Sequence, residues 1–370
     1  MRRLAVAFVV QGEGRGHMTQ ALAAARHLRD AGHEVVRVLV GRSPFRSVPD
    51  YFIRQIEAPV ETFEAPTQVP DRAGRGVSVA ASAWDAVKRL PRFVSGGRRI
   101  HVATRAADLV VNFMDLVGGL SRVVFMTRVP ALAVAHNYVF LHPSLAHAPG
   151  RPHVRRIVMG YVRATALRSV SRVALSFDAL PEAPGSRLVI APPLLRPGLE
   201  ARTPRDEGYL LAYALNAGYG DALAEWHRRN PAVTVHCYLD GGSVALTVRP
   251  AAGFHAHALD QEAFLRHLQG CRAYVGTAGF ESVCEAFYLG KPALLIPTAG
   301  QYEQSLNAWD AERVAAACAG GYEKLDAFWS RPPLPEPGRV AEFRAWVSRA
   351  PEIIVREVER AAAGGRAARG

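Results

Sequence analysis

Two stretches of this 370-residue chain place residue types at spacings suited to chemistry. The first is Gln11-Gly12-Glu13-Gly14-Arg15-Gly16-His17. Three glycines at alternate positions let a backbone pass close to a bound group and expose amides where a helix starts. The pattern is G-x-G-x-G-H, not the dinucleotide fingerprint G-x-G-x-x-G. The acid expected at the end of the next strand is also missing, since that position reads Val40-Gly41-Arg42. His17 falls in the first turn of the following helix, toward the carboxyl edge of a sheet, where ligands bind in such folds. Imidazole suits a general base near neutral pH. The alternative for this loop is a purely structural turn.

The second stretch runs Thr277-Ala278-Gly279-Phe280-Glu281-Ser282-Val283-Cys284-Glu285-Ala286, then Gly290-Lys291-Pro292, and ends with Gln301-Tyr302-Glu303-Gln304 and Asn307. A small-residue turn between strand and helix offers free amides and the Ser282 hydroxyl to a diphosphate. Glu285, a turn further on, suits a bidentate contact to two ribose hydroxyls. Glu303 and Gln304 suit the hydroxyls of a sugar. The plainer alternatives are a helix cap for Ser282 and a solvated helix position for Glu285. His136-Asn137-Tyr138 fits an acceptor-side loop or a structural one equally well. His255 and His257 alternate along a strand and share a face, but no third ligand stands at fixed spacing, so no metal site is expected there. No Asp-x-Asp-like cluster offers to hold a metal-bound diphosphate, which points to a metal-independent reaction.

These residues need a scaffold that brings strand ends together. Residues 4–10, 34–40, 108–112, 131–135 and 172–176 read as buried strands, with helical periodicity over 18–31. Pro192, Pro193, Pro197 and Gly198 punctuate the chain at a linker, residues 192–200. A second series follows, with strands at 209–215, 233–239, 254–258, 273–276 and 293–297, and helices at 221–229, 261–269 and 280–289. The pattern predicts two Rossmann-like parallel-sheet α/β domains, residues 1–195 and 196–338. A helix over 340–361 completes the chain within the third segment, 339–370, with a frayed tail from 362. Residues 64–77 read as a mobile surface loop.

Hydrophobic residues make up 49% of the chain and charged residues 21%, which excludes global disorder. The only apolar N-terminal run, Leu4–Val10, is too short to span a bilayer and lacks a cleavage site. Four cysteines without a CxxC pair predict a reducing, cytoplasmic compartment. The net charge of +12 is uneven: up to residue 195 there are 26 basic and 13 acidic residues, and beyond it 19 and 20. Between Asp115 and Asp178 no acid occurs, while eight arginines lie from Arg122 to Arg172. With no recognition helix or basic tail, that excess predicts an anionic acceptor or membrane surface for the first domain, and no nucleic acid.

The glycine loop and the 277–307 segment together resemble nucleotide-sugar glycosyltransferases of the GT-B fold, two Rossmann-like domains facing across a cleft. They are similar to the lipid II-forming N-acetylglucosaminyltransferase, the plant and macrolide UDP-sugar transferases, and bacterial and archaeal transferases with a G-x-G-x-G-H loop. The resemblance covers roughly residues 5–30 and 205–315. It implies an inverting transfer, in a single displacement, from a nucleotide diphosphate sugar, with UDP the expected nucleotide. No cofactor besides this co-substrate is implied. The acceptor would be a lipid, glycan or small molecule hydroxyl, and action at the inner membrane face fits the arginine excess. By position, His17 would activate the acceptor, oriented by Asp115 or displaced in that role by Asn112, with Asp115 preferred. Gly279, Phe280, Ser282 and Thr277 would hold the diphosphate, with Gly14 and Gly16, and with Asn216 and Gly218 from a second phosphate-facing loop. Glu285 would hold the ribose, Glu303 and Gln304 the sugar, and His136 and Asn137 the acceptor side. The plant enzymes carry histidine where this chain has Thr277 and tryptophan where it has Phe280, which removes one phosphate donor. Closure about residues 192–200, a final helix crossing back to the first domain, and the alternatives of nucleotide-sugar hydrolase or epimerase on the same scaffold follow from the same resemblance.

Overall fold

The computed structural model describes residues 2–42, 48–67, 69, 78–214, 217–239 and 246–367. Part of the segment read as a mobile loop, and the end of the tail, therefore lie outside the described residues. The chain forms two compact units. The first draws on residues up to 68, Ala80–Pro197 and Ala345–Gly370; the bulk of the second is Gly198–Arg344.

The first unit holds strands β1 (Ala5–Gln11), β2 (Glu34–Arg42), β3 (Val60–Glu64), β4 (Leu109–Phe113), β5 (Ala131–Ala135), β6 (Ser171–Leu175) and β7 (Leu188–Ala191). They pair in parallel in the order β3-β2-β1-β4-β5-β6-β7. The central strands are apolar on both faces because helices cover both, as parallel sheets require: every residue of β4 and β5 is buried. Its helices are α1 (Gly16–Asp30), α2 (Asp50–Gln55), α3 (Val79–Lys88), α4 (Leu90–Thr104), α5 (Leu116–Val124) and α6 (Pro152–Thr165). The strands β3 and β7 were not evident in sequence. Both lie at sheet edges, are short and only half-buried, and so lack a continuous apolar run.

The second unit contains β8 (Leu210–Ala214), α7 (Ala217–Arg229), β9 (Val235–Leu239), β10 (Phe254–His257), α8 (Gln261–Gly270), β11 (Ala273–Gly276), α9 (Phe280–Tyr288), β12 (Ala293–Leu295), α10 (Tyr302–Arg313), β13 (Cys318–Ala319) and α11 (Leu325–Ser330). Its strands are again all parallel, ordered β10-β9-β8-β11-β12-β13. In each sheet the strand order reverses direction at one place, between β1 and β4 and between β8 and β11. Loops after those strands diverge at the carboxyl edge and leave a crevice where ligands bind in such folds.

The single closing helix expected over 340–361 is two, α12 (Pro337–Val347) and α13 (Ala350–Ala367), and α13 continues where a frayed tail was expected. The division between units falls at Arg344, inside α12, beyond the expected 338. Phe343 packs on Phe287 with centroids 4.8 Å apart, and Arg344 Nε donates to the Tyr288 carbonyl at 2.7 Å, which ties this stretch to the second unit. The following α13 packs on α1, β4, β5 and β7 of the first unit. No described helix is long and apolar enough to cross a membrane.

Three arginines of the acid-free stretch are structural. Arg122 is buried and donates to the Val129 carbonyl, Arg155 to those of Phe140, Leu145 and Ala148, and Arg172 to that of Ser186. Burial, reinforced by Arg168, pushes the Arg122 guanidinium down to about 10.

Candidate active site

In the first unit the glycine loop leaves β1 beside the end of β2. A Cβ on Gly12 would overlap the carbonyl oxygen of Gly41, so the close approach needs glycine. Gly14 has φ +97°, a conformation ordinary residues avoid. The first turn of α1 has no side-chain cap from Arg15 and no acidic residue, an arrangement of the kind that suits an anion. His17 is half-buried there, its Nδ1 3.2 Å from Gln20 Oε1.

Across the reversal point, β4 ends at Asn112-Phe113-Met114-Asp115, and Met114 is held at φ +62°. Strain of this kind persists only where the surroundings impose it. Here Asn112 imposes it: its Oδ1 accepts from the Asp115 amide at 3.0 Å, and its Nδ2 donates to the carbonyls of Asp115 and Thr165 at 2.9 and 2.7 Å. Asp115 caps α5 by accepting from the Gly118 amide at 2.6 Å. Burial raises its carboxyl to about 7, against the lowering effect of the Gly118 and Val117 amides. A Cβ on Gly41 would lie 2.6 Å from Asp115 Oδ2, so Gly41 also makes room for this carboxyl. Neither Asp115 nor Asn112 hydrogen-bonds His17 in this structure; both are committed to the backbone around β4. His136 and Asn137 do not line a surface. Both are buried, with the His136 Nδ1 2.7 Å from the Leu175 carbonyl and its ring edge-on to Phe140.

In the second unit, Thr277 and Phe280 are buried, and the Gly279 amide donates back to the Thr277 carbonyl at 2.7 Å. That turn starts α9 on an extended Gly279 with no side-chain cap. Ser282 is therefore not the cap; it sits within the first turn, half-exposed, and its hydroxyl accepts from Tyr274 Oη at 3.0 Å. Glu285 is fully buried, which removes the solvated-helix alternative and also turns the carboxylate inward. With Glu281 and Asp310 it surrounds Cys284, whose thiol is raised well above its usual range, first by burial and then by these charges.

Three contacts gather the segments after β8, β11, β12 and β13. The Ala299 amide donates to Tyr219 Oη at 3.2 Å, and Tyr322 Oη donates to the Tyr219 carbonyl at 2.8 Å. Asn307 Nδ2 donates to the Ala278 carbonyl at 3.0 Å. Gln304 Oε1 accepts from the Thr298 amide at 2.7 Å, while Glu303 stays half-exposed in the first turn of α10. Gly218 lies in the first turn of α7, and Asn216 lies outside the described residues. The supporting roles of Tyr274 and Tyr322 carry no signal in sequence, because strand alternation and a distant turn bring them in. The exclusion of a third ligand near His257 also fails: His236 and His267 lie beside it.

The family model described as Glycosyl transferase family 1 matches residues 105–328, well over half of the chain. No curated protein matches the sequence. Among solved structures, UGT89C1 of Arabidopsis thaliana complexed with UDP-L-rhamnose is similar with a TM-score of 0.64 and 11% identity, covering 98% of this chain and 99% of that one. The glycosyltransferase SnogD from Streptomyces nogalater has a TM-score of 0.57 at 17% identity, with 98% and 99% covered. MurG of Acinetobacter baumannii has 0.54 at 16%, with 96% and 99% covered. At these identities the likeness is one of fold, and that fold is GT-B, two parallel-sheet α/β domains. With the family model spanning both units, the chain belongs to glycosyl transferase family 1 and is a glycosyltransferase.

Proposed function

We propose that the protein transfers a sugar, with inversion, from a nucleotide diphosphate sugar, UDP being the expected nucleotide, to an acceptor hydroxyl. The observation that carries this reading is the uncapped start of α9 at the reversal point of the second sheet, with the Ser282 hydroxyl in its first turn. Amides fixed at a helix N-terminus suit a diphosphate and stabilise the charge that develops as it leaves, so the chemistry needs no metal. Thr277, Gly279 and Phe280 shape that turn, Gly218 lies in the first turn of the neighbouring α7, Asn216 is assigned to the diphosphate by its sequence position alone, and Glu303 with Gln304 face the sugar. Glu285 would reach the ribose only by turning outward from its buried position. On the first unit, Gly14, Gly16 and the first turn of α1 form a second amide cluster, and His17 takes the acceptor proton as the anomeric carbon is attacked. His17 works beside Gln20, with Asp115 acting at most through the backbone it caps. His136 and Asn137 support the acceptor-side fold from inside.

The acceptor side is further proposed to work against an anionic membrane surface. Val123, Val124 and Met126 at the end of α5 are exposed, as are Ile157 and Tyr161 on α6, alongside exposed Arg156, Arg163 and Arg168. Apolar side chains among arginines suit a headgroup boundary.

A thermal-shift series with UDP, ADP, GDP and dTDP and their sugars tests the donor claim. One nucleotide should stabilise the wild type by several degrees and Ser282→Ala less; stabilisation by none would sink the reading. Free sugar released as fast without acceptor as with it would reassign the enzyme as a hydrolase.

A further inference from the structure

The second sheet carries a histidine cluster that the transfer reading does not use. In β9 the side chains of Val235, Cys237 and Leu239 join the core, so alternation turns His236 and Tyr238 to the opposite face. The parallel register sets His257 of β10 opposite Tyr238 and His255 opposite His236. From α8, His267 stacks on His236 with centroids 4.1 Å apart. His236 Nδ1 lies 2.9 Å from His257 Nε2, and the Tyr238 hydroxyl lies 2.7 Å from His267 Nδ1. One ligand nitrogen from each of His236, His257 and His267 falls within 4.8 Å of the others, and all three residues are half-buried.

Packing three imidazoles this closely is compatible with neutral rings and poorly compatible with protonated ones. Burial, followed by repulsion from neighbouring rings, His255 among them, lowers all three, His236 to about 4. The charged groups that act on the cluster are Glu207, Asp260 and Arg266. Two nitrogens on one tetrahedral ion stand about 3.3 Å apart for bonds of about 2.0–2.1 Å, so the His236–His257 pair needs only a small shift and a change of tautomer. The Tyr238 hydroxyl at Nδ1 leaves Nε2 of His267 for coordination, an orienting contact of the kind metal-bound histidines make.

We propose that His236, His257 and His267 bind one divalent transition-metal ion of the imidazole-preferring class, zinc, cobalt, nickel or copper, with solvent completing its shell. An all-nitrogen donor set disfavours magnesium and calcium, which take oxygen. The ion links the edge strand β10 to β9 and α8, and so fastens the open side of the sheet. This proposal stands independently of the sugar-transfer reading.

The test uses untagged full-length protein stripped with chelator and dialysed. Titration with CoCl2, followed by its visible absorption, and with ZnCl2 by calorimetry should show one saturable ion per chain and a raised Tm. His257→Gln and His267→Gln should each weaken binding by about tenfold or more, and His255→Gln should leave it unchanged. Far-UV circular dichroism identifies any variant that fails to fold, and the other ligand variant then decides. No saturable uptake by the wild type, unchanged affinity in the folded ligand variants, or an equal loss in His255→Gln would overturn the assignment.

Discussion

At Asp115 two influences oppose each other. Burial favours the neutral carboxyl, the helix amides favour the carboxylate, and burial dominates, so the folded value of about 7 lies well above the ordinary carboxylate range. A group raised on folding adds stability that is complete below its unfolded pKa and is lost as pH rises through the folded one. The wild-type Tm is therefore expected to fall between about pH 4 and pH 8, by an amount equivalent to a few kcal/mol. Asp115→Asn retains a competent cap and should flatten that slope; parallel pH profiles for the two proteins would refute the account. For His17 the expected outcome is kinetic. His17→Ala should bind nucleotide as the wild type does and lose about 100-fold or more in turnover, and retained turnover would exclude it as the base.

At the level of elements, close backbone approaches decide which substitutions are tolerated. Gly14→Ala meets no atom within 4 Å and carries only the strain of φ +97°, about 1–2 kcal/mol. Gly12→Ala must displace the loop from Gly41, and Gly119→Ala must part α5 from the Ala164 and Thr165 carbonyls at the end of α6, so each should cost about 3 kcal/mol. Thermal denaturation that ranked Gly14→Ala as the most damaging would contradict this. Much of the frame was legible in sequence: the runs that became β1, β2, β4, β5 and β6, and the glycine loop and 277–286 segment at their reversal points. What escaped was whatever depends on partners distant in sequence. His136 reads as a polar loop residue, yet a short 3-10 turn at His136–Leu141 rolls it inward against Leu175. Asp115 and His17 both lie after strands that flank the reversal point, but the cap on Gly118 determines the carboxylate's direction, and strand ends alone do not reveal it. His236 and His267 are 31 positions apart in the numbering and meet only because α8 folds over β9.

For the molecule as a whole, uneven charge and interleaved chain order matter most. Binding to vesicles containing anionic lipid should be strong at low salt, weaken as salt rises, and diminish in a Val124→Glu/Met126→Glu variant; absence of binding at low salt would remove the membrane role. The interleaving concerns α13, which seals the first unit with Ile353, Ile354, Val358, Ala361 and Ala362, all buried. Ile354→Ala should cost about 3 kcal/mol and leave nucleotide binding by the second unit unchanged, measurable by calorimetry with and without nucleotide. Vectorial synthesis gives this arrangement a timetable. The ribosome makes all of Gly198–Arg344 before α13 exists, so the surfaces of α1, β4, β5 and β7 that α13 covers stay open meanwhile. At about 5–20 residues per second the delay is roughly ten to thirty seconds, during which the nascent first half exposes apolar surface of the kind that chaperones bind.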